Sequence, residues 1–343
     1  MKTPKEIYKY FSVLLKRFLP LWRLYGFSVA FSSLIFPFCH LFGPLKPYIA
    51  MHKHRAILIY LRNRYAGLLN NYLKNSESMH STIEYNSTIW VCWWDGEGTM
   101  PPLVKSCYNS IIKHSSNHPV MLITKENYKN YISIPEYIIE KVSLGIMSLT
   151  HFSNILRVNL LYDYGGIWMD ITILALKDIS LEGFSFFTLK ALAKTASVTL
   201  NTFEGISSTH PFHICKETPV SRWSGFLLGG TKSSPFFSYL RDILYAYWKD
   251  HNDQIDYLLF DYTIALGYDN IPSMKKLIDN VPCSKIDKYL LERNLNKEFS
   301  KEDFRKYSLE TFNKLTWKKK FITHTLAGKL TVYGHILETF LEN

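Results

Sequence analysis

Three short apolar runs constrain the fold of this chain more than any other feature of its sequence. They are TIWVCWW at 88–94, PVMLIT at 119–124 and IWMDITIL at 167–174. All three are rich in β-branched and aromatic residues, as buried strands are. Between them, the segments 103–114, 125–132 and 150–164 have helical periodicity or composition. Strands that alternate with helices predict an α/β fold with a mostly parallel central sheet.

The loop that follows the first run is a candidate ligand-binding edge, because ligands of open α/β sheets bind beyond the carboxyl ends of the strands. No GxGxxG fingerprint or P-loop follows that strand, so neither a dinucleotide site nor a P-loop nucleotidase is predicted. Five scattered cysteines without a CxxC pair argue against a disulfide scaffold or a zinc ribbon. They favour a reducing compartment.

The formal net charge of +11 lies entirely in the first part of the chain. Residues 1–76 hold 12 Lys and Arg and a single acid, whereas 77–343 hold 28 basic and 28 acidic residues. The polar stretch NSESMHS at 75–81 predicts a boundary between a basic helical segment, 1–76, and an α/β domain, 77–343. The basic residues are interleaved with Phe, Leu, Trp and Tyr, which favours an anionic membrane surface over nucleic acid as the partner.

Three interpretations of the basic segment remain open. Residues 26–43 contain no Lys, Arg, Asp or Glu, and this length nearly suffices to cross a bilayer. Serines, Pro37 and His40 interrupt the stretch, which favours a shallow interfacial segment. A spanning helix and a helical lobe packed on the main domain are the alternatives. A signal peptide is not predicted, because no small-residue cleavage site follows the apolar stretch.

Asp170 is a lone carboxylate in the middle of the third apolar run. An unpaired buried acid is costly or stays neutral, so Asp170 requires a cation, a metal or a hydrogen-bonding ligand. Exposure to water, or pairing with Arg157, is the alternative that involves no ligand. In the helix before the run, Thr150 or Ser153 is predicted to cap the start and Gly165-Gly166 to end it.

The segment HFSNILRVNLLYDYGGIWMDITI at 151–173 resembles the central motif of the capsular polysaccharide synthesis proteins. That family is grouped with glycosyltransferases that carry a DxD-type sugar-binding motif, and it is related to glycosyltransferase family 32. Its pattern is Ser-Asp-x-x-Arg, then Leu, then Tyr-Gly-Gly-Ile-Trp/Tyr-x-Asp-x-Asp/Thr. The matching positions are Ser153, Asn154, Arg157, Leu161, Tyr164, Gly165, Gly166, Ile167, Trp168, Asp170 and Thr172. The resemblance extends over about residues 85–320, with FNKLTWKK among its downstream segments.

The resemblance implies a GT-A-like nucleotide-binding sandwich that transfers a sugar from a nucleotide-sugar, expected to be a UDP-sugar, with retention. The acceptor would be a glycan or a lipid-linked glycan in the synthesis of a bacterial capsule or another surface polysaccharide. We therefore expect a cytoplasmic protein that is peripheral on the inner face of the cell membrane. A divalent cation, Mn²⁺ or Mg²⁺, would bridge the diphosphate, with Asp170, Thr172 and His324 as its predicted ligands.

The resemblance also assigns most of the remaining site residues. Asp170 and Arg157 are predicted catalytic residues, with Arg157 on the diphosphate or sugar hydroxyls. Asp261 is the third and is predicted from the sequence itself, as another acid among apolar residues. It would orient the acceptor or assist departure; a buried helix acid with a partner is the alternative. The predicted donor-binding residues are Trp93, Trp94, Asp95, Ser153, Asn154, Arg157, Gly165, Gly166, Asp170 and Thr172. One of the two tryptophans is expected to face the core.

The family's acid is missing at two positions, because Asn154 stands in place of an Asp and Thr172 is the neutral one of the two residues that the pattern allows. These departures keep a second function in view, that of a degenerate, non-catalytic glycan-binding or scaffold protein with the same fold. Another nucleotide-dependent transferase, such as a sugar-phosphate transferase, would call for a fuller acidic cluster than this sequence holds.

Overall fold

A computed structural model describes residues 4–38, 46–74, 87–180, 185–190, 222–284 and 287–341. Four helices come first: α1 Pro4–Tyr25, α2 Phe27–Ile35, α3 Lys46–Arg64 and α4 Ala66–Lys74. The strands that follow are β1 Ile89–Cys92, β2 Val120–Ile123, β3 Gly166–Met169, β4 Ile173–Ala175, β5 Phe186–Thr188, β6 Leu227–Gly230 and β7 Phe312–Lys314. The helices among and after them are α5 Pro102–Lys113, α6 Glu136–Ser143, α7 Leu149–Asp163, α8 Pro235–Asp250, α9 Leu259–Asn270, α10 Pro272–Asp279, α11 Lys301–Tyr307 and α12 Val332–Phe340.

The central sheet has five strands in the order β2-β1-β3-β6-β5. Strand β1 pairs in parallel with β2 and β3, while β6 runs antiparallel to both β3 and β5. Four of the five strands therefore point the same way, which confirms the prediction of an α/β fold with a mostly parallel sheet. Their carboxyl ends lie at one edge, where ligands of such sheets bind.

The third apolar run is two strands and not the single strand that the sequence predicts. Strand β3 ends at Met169, and the Ile173 N–H donates to the Asp170 carbonyl at 2.9 Å, which closes a turn. The chain then leaves the central sheet as β4 and pairs with β7 in a separate two-stranded antiparallel sheet. Asp170 and Thr172 consequently lie on a turn at the edge of the central sheet.

The helix predicted over 125–132 is also wrong, because only the 3₁₀ turn Tyr128–Asn130 forms there. The Asn127 side chain accepts from the Thr124 N–H and donates to the Leu122 carbonyl, both at 2.8 Å. A short polar side chain that binds nearby backbone in this way competes with helix formation.

The first four helices form an N-terminal lobe (α1–α4) that packs on α8 and α9. Its buried residues belong to the same hydrophobic core as those two helices; they include Leu21, Tyr25, Val29, Ala30, Ile57 and Leu61. Polar contacts reinforce the packing: Tyr25 donates to the Asp253 carbonyl at 2.8 Å, and Lys53 pairs with Asp256 at 2.6 Å. The structure thus agrees with the packed-lobe interpretation of this segment. None of the helices in the described ranges is both long enough and apolar enough to span a bilayer.

The boundary predicted near residue 76 falls among residues 75–86, which lie outside the described residues. The division into 1–76 and 77–343 stays a prediction.

Candidate functional site

Asp170 lies just beyond the carboxyl end of β3 and meets two cations there. Its Oδ1 accepts from Arg157 Nη2 at 3.1 Å and from Trp168 Nε1 at 3.0 Å. Its Oδ2 is 3.4 Å from the ammonium of Lys314. The Asp170 side chain is 31% exposed, so the lone acid of the sequence is paired and still faces solvent.

The charge state of Asp170 follows from these partners. Burial alone would raise the pKa of its carboxyl. The positive charges of Lys314 and Arg157, helped by the hydrogen bond from Trp168, outweigh burial and bring the pKa of Asp170 below its usual value. Asp170 is therefore a carboxylate at neutral pH.

Arg157 is one of the buried residues of α7, and only 5% of its side chain is exposed. Its Nη1 donates to Asn154 Oδ1 at 2.8 Å, so the side-chain oxygen of Asn154 helps to orient the guanidinium. The guanidinium carbon lies 4.9 Å from the ring centres of both Trp168 and Phe260, a cation–π arrangement. Burial lowers the pKa of Arg157, opposed by Asp170 and Asp261, but a guanidinium stays charged at neutral pH.

Lys314, on β7, is a site residue that the sequence analysis did not single out. Its Nζ binds the hydroxyl of Thr172 as well as the carboxylate of Asp170. It also lies 5.2 Å from the centre of the Phe226 ring, and Lys288 approaches the same ring at 5.0 Å. Only the pairing of β4 with β7, which sets Ile173 opposite Lys314, brings this residue to the site.

Asp261, on α9, accepts a hydrogen bond from Trp223 Nε1 at 3.1 Å. Burial first, and then the negative charges of Asp170 and Asp261, raise the pKa of the Tyr257 hydroxyl. The charges of both acids therefore act on Tyr257, a residue that was not predicted from the sequence. Its side chain is 64% exposed, so its burial is only partial and the residue lies at the solvent side of the site.

The two tryptophans after β1 point to opposite sides, although both are partly buried. Trp94 packs against Tyr128 and Phe152, at 5.4 and 5.3 Å between ring centres. Trp93 packs on the other side, with its ring 5.8 Å from that of the exposed Trp317. Asp95 is exposed and pairs with Lys125 at 3.3 Å. Contact of Trp93, Trp94 or Asp95 with a nucleotide stays a prediction.

The other predicted site residues are His324, Ser153, Gly165 and Gly166. His324 is exposed on a hairpin, where it bridges to Leu330 and its ring is 3.3 Å from the Thr323 hydroxyl. Ser153 donates to the Thr150 carbonyl at 2.7 Å. Gly165 and Gly166 form the turn into β3, roughly 13 Å of strand away from Asp170. The part of Ser153, Gly165 and Gly166 in donor binding stays a prediction.

The residues at Asp170 do not fit the predicted Mn²⁺ or Mg²⁺ well. Hard cations take carboxylate and other oxygen ligands, and Asp170 and Thr172 both already bind the ammonium of Lys314. Within the described ranges, no group of three His, Cys, Asp or Glu could hold a metal ion. The divalent cation and the part of His324 as its ligand stay predictions.

Most of the chain is similar to known proteins. A family model described as "Capsular polysaccharide synthesis protein" matches residues 44–336. No curated protein gives a significant match. Among solved structures, the chain is similar to the PaToxG glycosyltransferase (14% identity, 65% of this chain and 83% of that one, TM-score 0.37). It is also similar to the apo structure of the bifunctional glycosyltransferase WbbM (12% identity, 77% of this chain and 51% of that one, TM-score 0.38). At such TM-scores neither likeness bears on the residues of the site.

Proposed function

The chain belongs to the capsular polysaccharide synthesis protein family, and from that premise we propose that it is a glycosyltransferase. It moves a sugar from a nucleotide-sugar, in our proposal a UDP-sugar, to a glycan or lipid-linked acceptor during synthesis of a bacterial capsule or another surface polysaccharide. One observation carries the proposal. Two cations, Arg157 and Lys314, meet the Asp170 carboxylate at the carboxyl end of β3, and an excess of positive charge at that edge suits a diphosphate.

The proposed reaction asks the protein for positioning and charge. The bond between the anomeric carbon and the diphosphate oxygen breaks, and its electron pair leaves with the nucleoside diphosphate. The acceptor's hydroxyl oxygen bonds to the same carbon from the same face, and the hydroxyl proton leaves with the diphosphate. Attack from that face retains the anomeric configuration. Fixed cations aimed at the charge that develops are an effective way to lower such a barrier.

The surrounding residues have parts in this proposal. Trp93, with Trp317 beside it, borders the base, and Arg157 holds the diphosphate. Asp261 and Tyr257 are placed on the acceptor side in this proposal. The charges of Asp170 and Asp261 both act on the Tyr257 hydroxyl, and the Tyr257 side chain is largely exposed. Asp261 then orients the attacking hydroxyl.

A panel of UDP-, GDP- and CMP-sugars tests the function directly. We expect the protein to hydrolyse one nucleotide class slowly without acceptor, measured as release of free nucleotide. The same assay on Asp170→Asn shows how much release comes from contaminating hydrolases. If no donor of any class is bound or hydrolysed, with or without Mn²⁺, the glycosyltransferase proposal fails and the non-catalytic glycan-binding alternative takes its place.

The proposal includes attachment to the inner face of the cell membrane through the N-terminal lobe. The outer side of α1 and α2 carries large apolar side chains that are 42–54% exposed: Val13, Leu15, Leu19, Trp22, Leu24, Phe27 and Phe31. Three exposed basic residues, Lys16, Arg17 and Arg23, lie among them. An apolar aromatic surface with basic residues is suited to an anionic lipid interface.

Removing the aromatic part of this surface is expected to release the protein from membranes. We predict that Trp22→Ser/Phe27→Ser lowers binding to phosphatidylglycerol vesicles at least about tenfold in co-sedimentation, since two large apolar contacts are lost. The matched control is Leu144→Ser/Leu309→Ser, which removes two exposed leucines elsewhere and should bind as the wild type does. Equal loss in both double variants, or no vesicle binding by the wild type, would contradict the membrane proposal.

A further inference from the structure

We propose that Lys314 is the built-in cation of this site, and that its ammonium takes the place of the divalent metal in neutralising the diphosphate. The inference rests on the proposed glycosyltransferase function and concerns the same site. It makes donor binding and sugar transfer independent of Mn²⁺ and Mg²⁺. It also accounts for Thr172. A neutral hydroxyl beside Asp170 suffices for an ammonium, whereas a divalent metal would favour a second carboxylate at that position.

The first support is the position of the ammonium. Lys314 Nζ is 3.4 Å from Asp170 Oδ2 and binds the Thr172 hydroxyl. These are the two side chains that a DxD-type motif would turn towards a metal. An ammonium has three donors and no acceptor, so two of them serve Asp170 and Thr172 and a third remains for a ligand oxygen. The Lys314 side chain is 17% exposed, which leaves a path to that ligand.

The second support is the backbone that holds Lys314 in place. The chain turns at Asp170, and β4 then pairs with β7 so that Lys314 lies opposite Ile173. The Lys314 N–H donates to the Lys288 carbonyl at 2.9 Å, and the Leu315 N–H donates to the Thr172 carbonyl at 3.0 Å. The two-stranded sheet therefore fixes Lys314 to the turn that carries both of its partners.

The third support is the charge count at the site. Arg157 and Lys314 carry two positive charges and Asp170 carries one negative charge, so the three side chains sum to +1. Two carboxylates and a divalent metal beside the same Arg157 would also sum to +1, so an ammonium with a neutral threonine leaves the net charge of the site unchanged. When the bond to the anomeric carbon breaks, the diphosphate gains one negative charge, and a fixed ammonium stabilises it by charge alone. Lys314 neither gains nor loses a proton in this step.

Calorimetric titration of the full chain with UDP and with GDP tests the inference. We expect one of the two nucleotides to bind in EDTA, with an affinity that changes less than about threefold when excess Mn²⁺ replaces the EDTA. Binding that appears only with Mn²⁺ or Mg²⁺ would overturn the inference and leave the glycosyltransferase function standing. Absence of binding in both conditions would overturn the function as well, so the two failures are distinguishable.

Variants of Lys314 give a second readout. We expect Lys314→Met to weaken nucleotide binding in EDTA about tenfold to a hundredfold, the worth of a hydrogen bond between charged groups. Lys314→Arg should retain most of the affinity, because it keeps the charge. Lys249→Met removes an exposed charge at the end of α8 and is the matched control, with unchanged affinity expected. If Lys314→Met folds and binds as tightly as the wild type in EDTA, the inference is wrong.

A restored acidic pair should bring metal dependence back. In Thr172→Asp/Lys314→Met, two carboxylates share the turn and no ammonium lies between them. We expect this double variant to bind the nucleotide at least about tenfold more tightly with Mn²⁺ than in EDTA, since a divalent ion then has two oxygen ligands. Thr172→Asp alone should stay indifferent to Mn²⁺, because the new carboxylate pairs with Lys314. A single variant that depends on Mn²⁺ as strongly as the double variant would count against Lys314 as the resident cation.

Discussion

Asp170→Asn is expected to slow sugar transfer at least about a hundredfold, the scale on which fixed charges act in transition states. The carboxylate holds Arg157 at 3.1 Å and Lys314 at 3.4 Å, and asparagine keeps its shape without the charge. Both cations then lose the group that orients them. The free energy of unfolding should fall by about 2–3 kcal/mol, less than the 3–5 kcal/mol of a fully buried pair, because Asp170 is partly exposed.

The affinity for free nucleotide should respond differently from the rate. Removing the negative charge of Asp170 raises the local charge from +1 to +2, so a nucleoside diphosphate should bind Asp170→Asn in EDTA within a few-fold of the wild type. A site built around a bound metal predicts the opposite, since loss of the carboxylate would release the ion and the nucleotide with it. Turnover and calorimetric affinity measured on the same preparation separate the two cases.

Asp163→Asn is the matched control for Asp170→Asn. Asp163 is 38% exposed and has one arginine partner, Arg241, at 3.9 Å. Its replacement should change the free energy of unfolding by less than about 1 kcal/mol, as is usual for exposed ion pairs, and leave turnover unchanged. A comparable loss of activity in both variants would mean that Asp170 acts only through general stability.

The order of helices and strands could be predicted from the sequence, because burial leaves a local pattern. The runs at 88–94 and 119–124 became β1 and β2, and the aromatic-rich segment before 250 became α8. Two of the predictions that failed depend on single polar side chains, namely the helix over 125–132 and the cap of α7. The cap of α7 is Ser148, whose hydroxyl accepts from the His151 N–H at 3.4 Å, and neither Thr150 nor Ser153 takes that position.

The candidate site could be predicted only where its parts lie close together in the chain. Arg157 and Asp170 are 13 residues apart, on a helix and strand joined by one turn, and the Arg157 pairing was open to prediction. Lys314 is 144 residues from Asp170. Its position at the site depends on the register of β4 with β7, and only three residue pairs define that register. A strand as short as FNK does not indicate in its sequence which strand it pairs with. The position of Lys314 beside Asp170 could therefore not be predicted from the sequence.

Gly166→Ala is expected to be the most destabilising single substitution in the turn that leads into the site. Gly166 has φ +91, where a Cβ costs about 1–2 kcal/mol. That Cβ would also lie 2.3 Å from the Thr88 carbonyl oxygen. The Cβ is fixed rigidly to the Gly166 backbone and the oxygen belongs to the Thr88 backbone, at the start of the β1–β3 pairing, so relief requires the two strands to part. We expect a total loss of at least about 4 kcal/mol, measured as a lower urea midpoint or as insoluble protein.

Gly26→Ala separates the two causes of this loss, because Gly26 has nearly the same φ, +88, but nothing within 4 Å of the added Cβ. It should cost only the backbone strain of about 1–3 kcal/mol, because φ +88 and ψ 163 lie in a region that glycine almost alone adopts. The difference between the two variants then measures the close approach of β3 to β1. That approach aligns the strand whose far end holds Asp170. If both substitutions cost the same, the strands can separate at Thr88 without penalty, and the glycine is needed for its backbone angle alone.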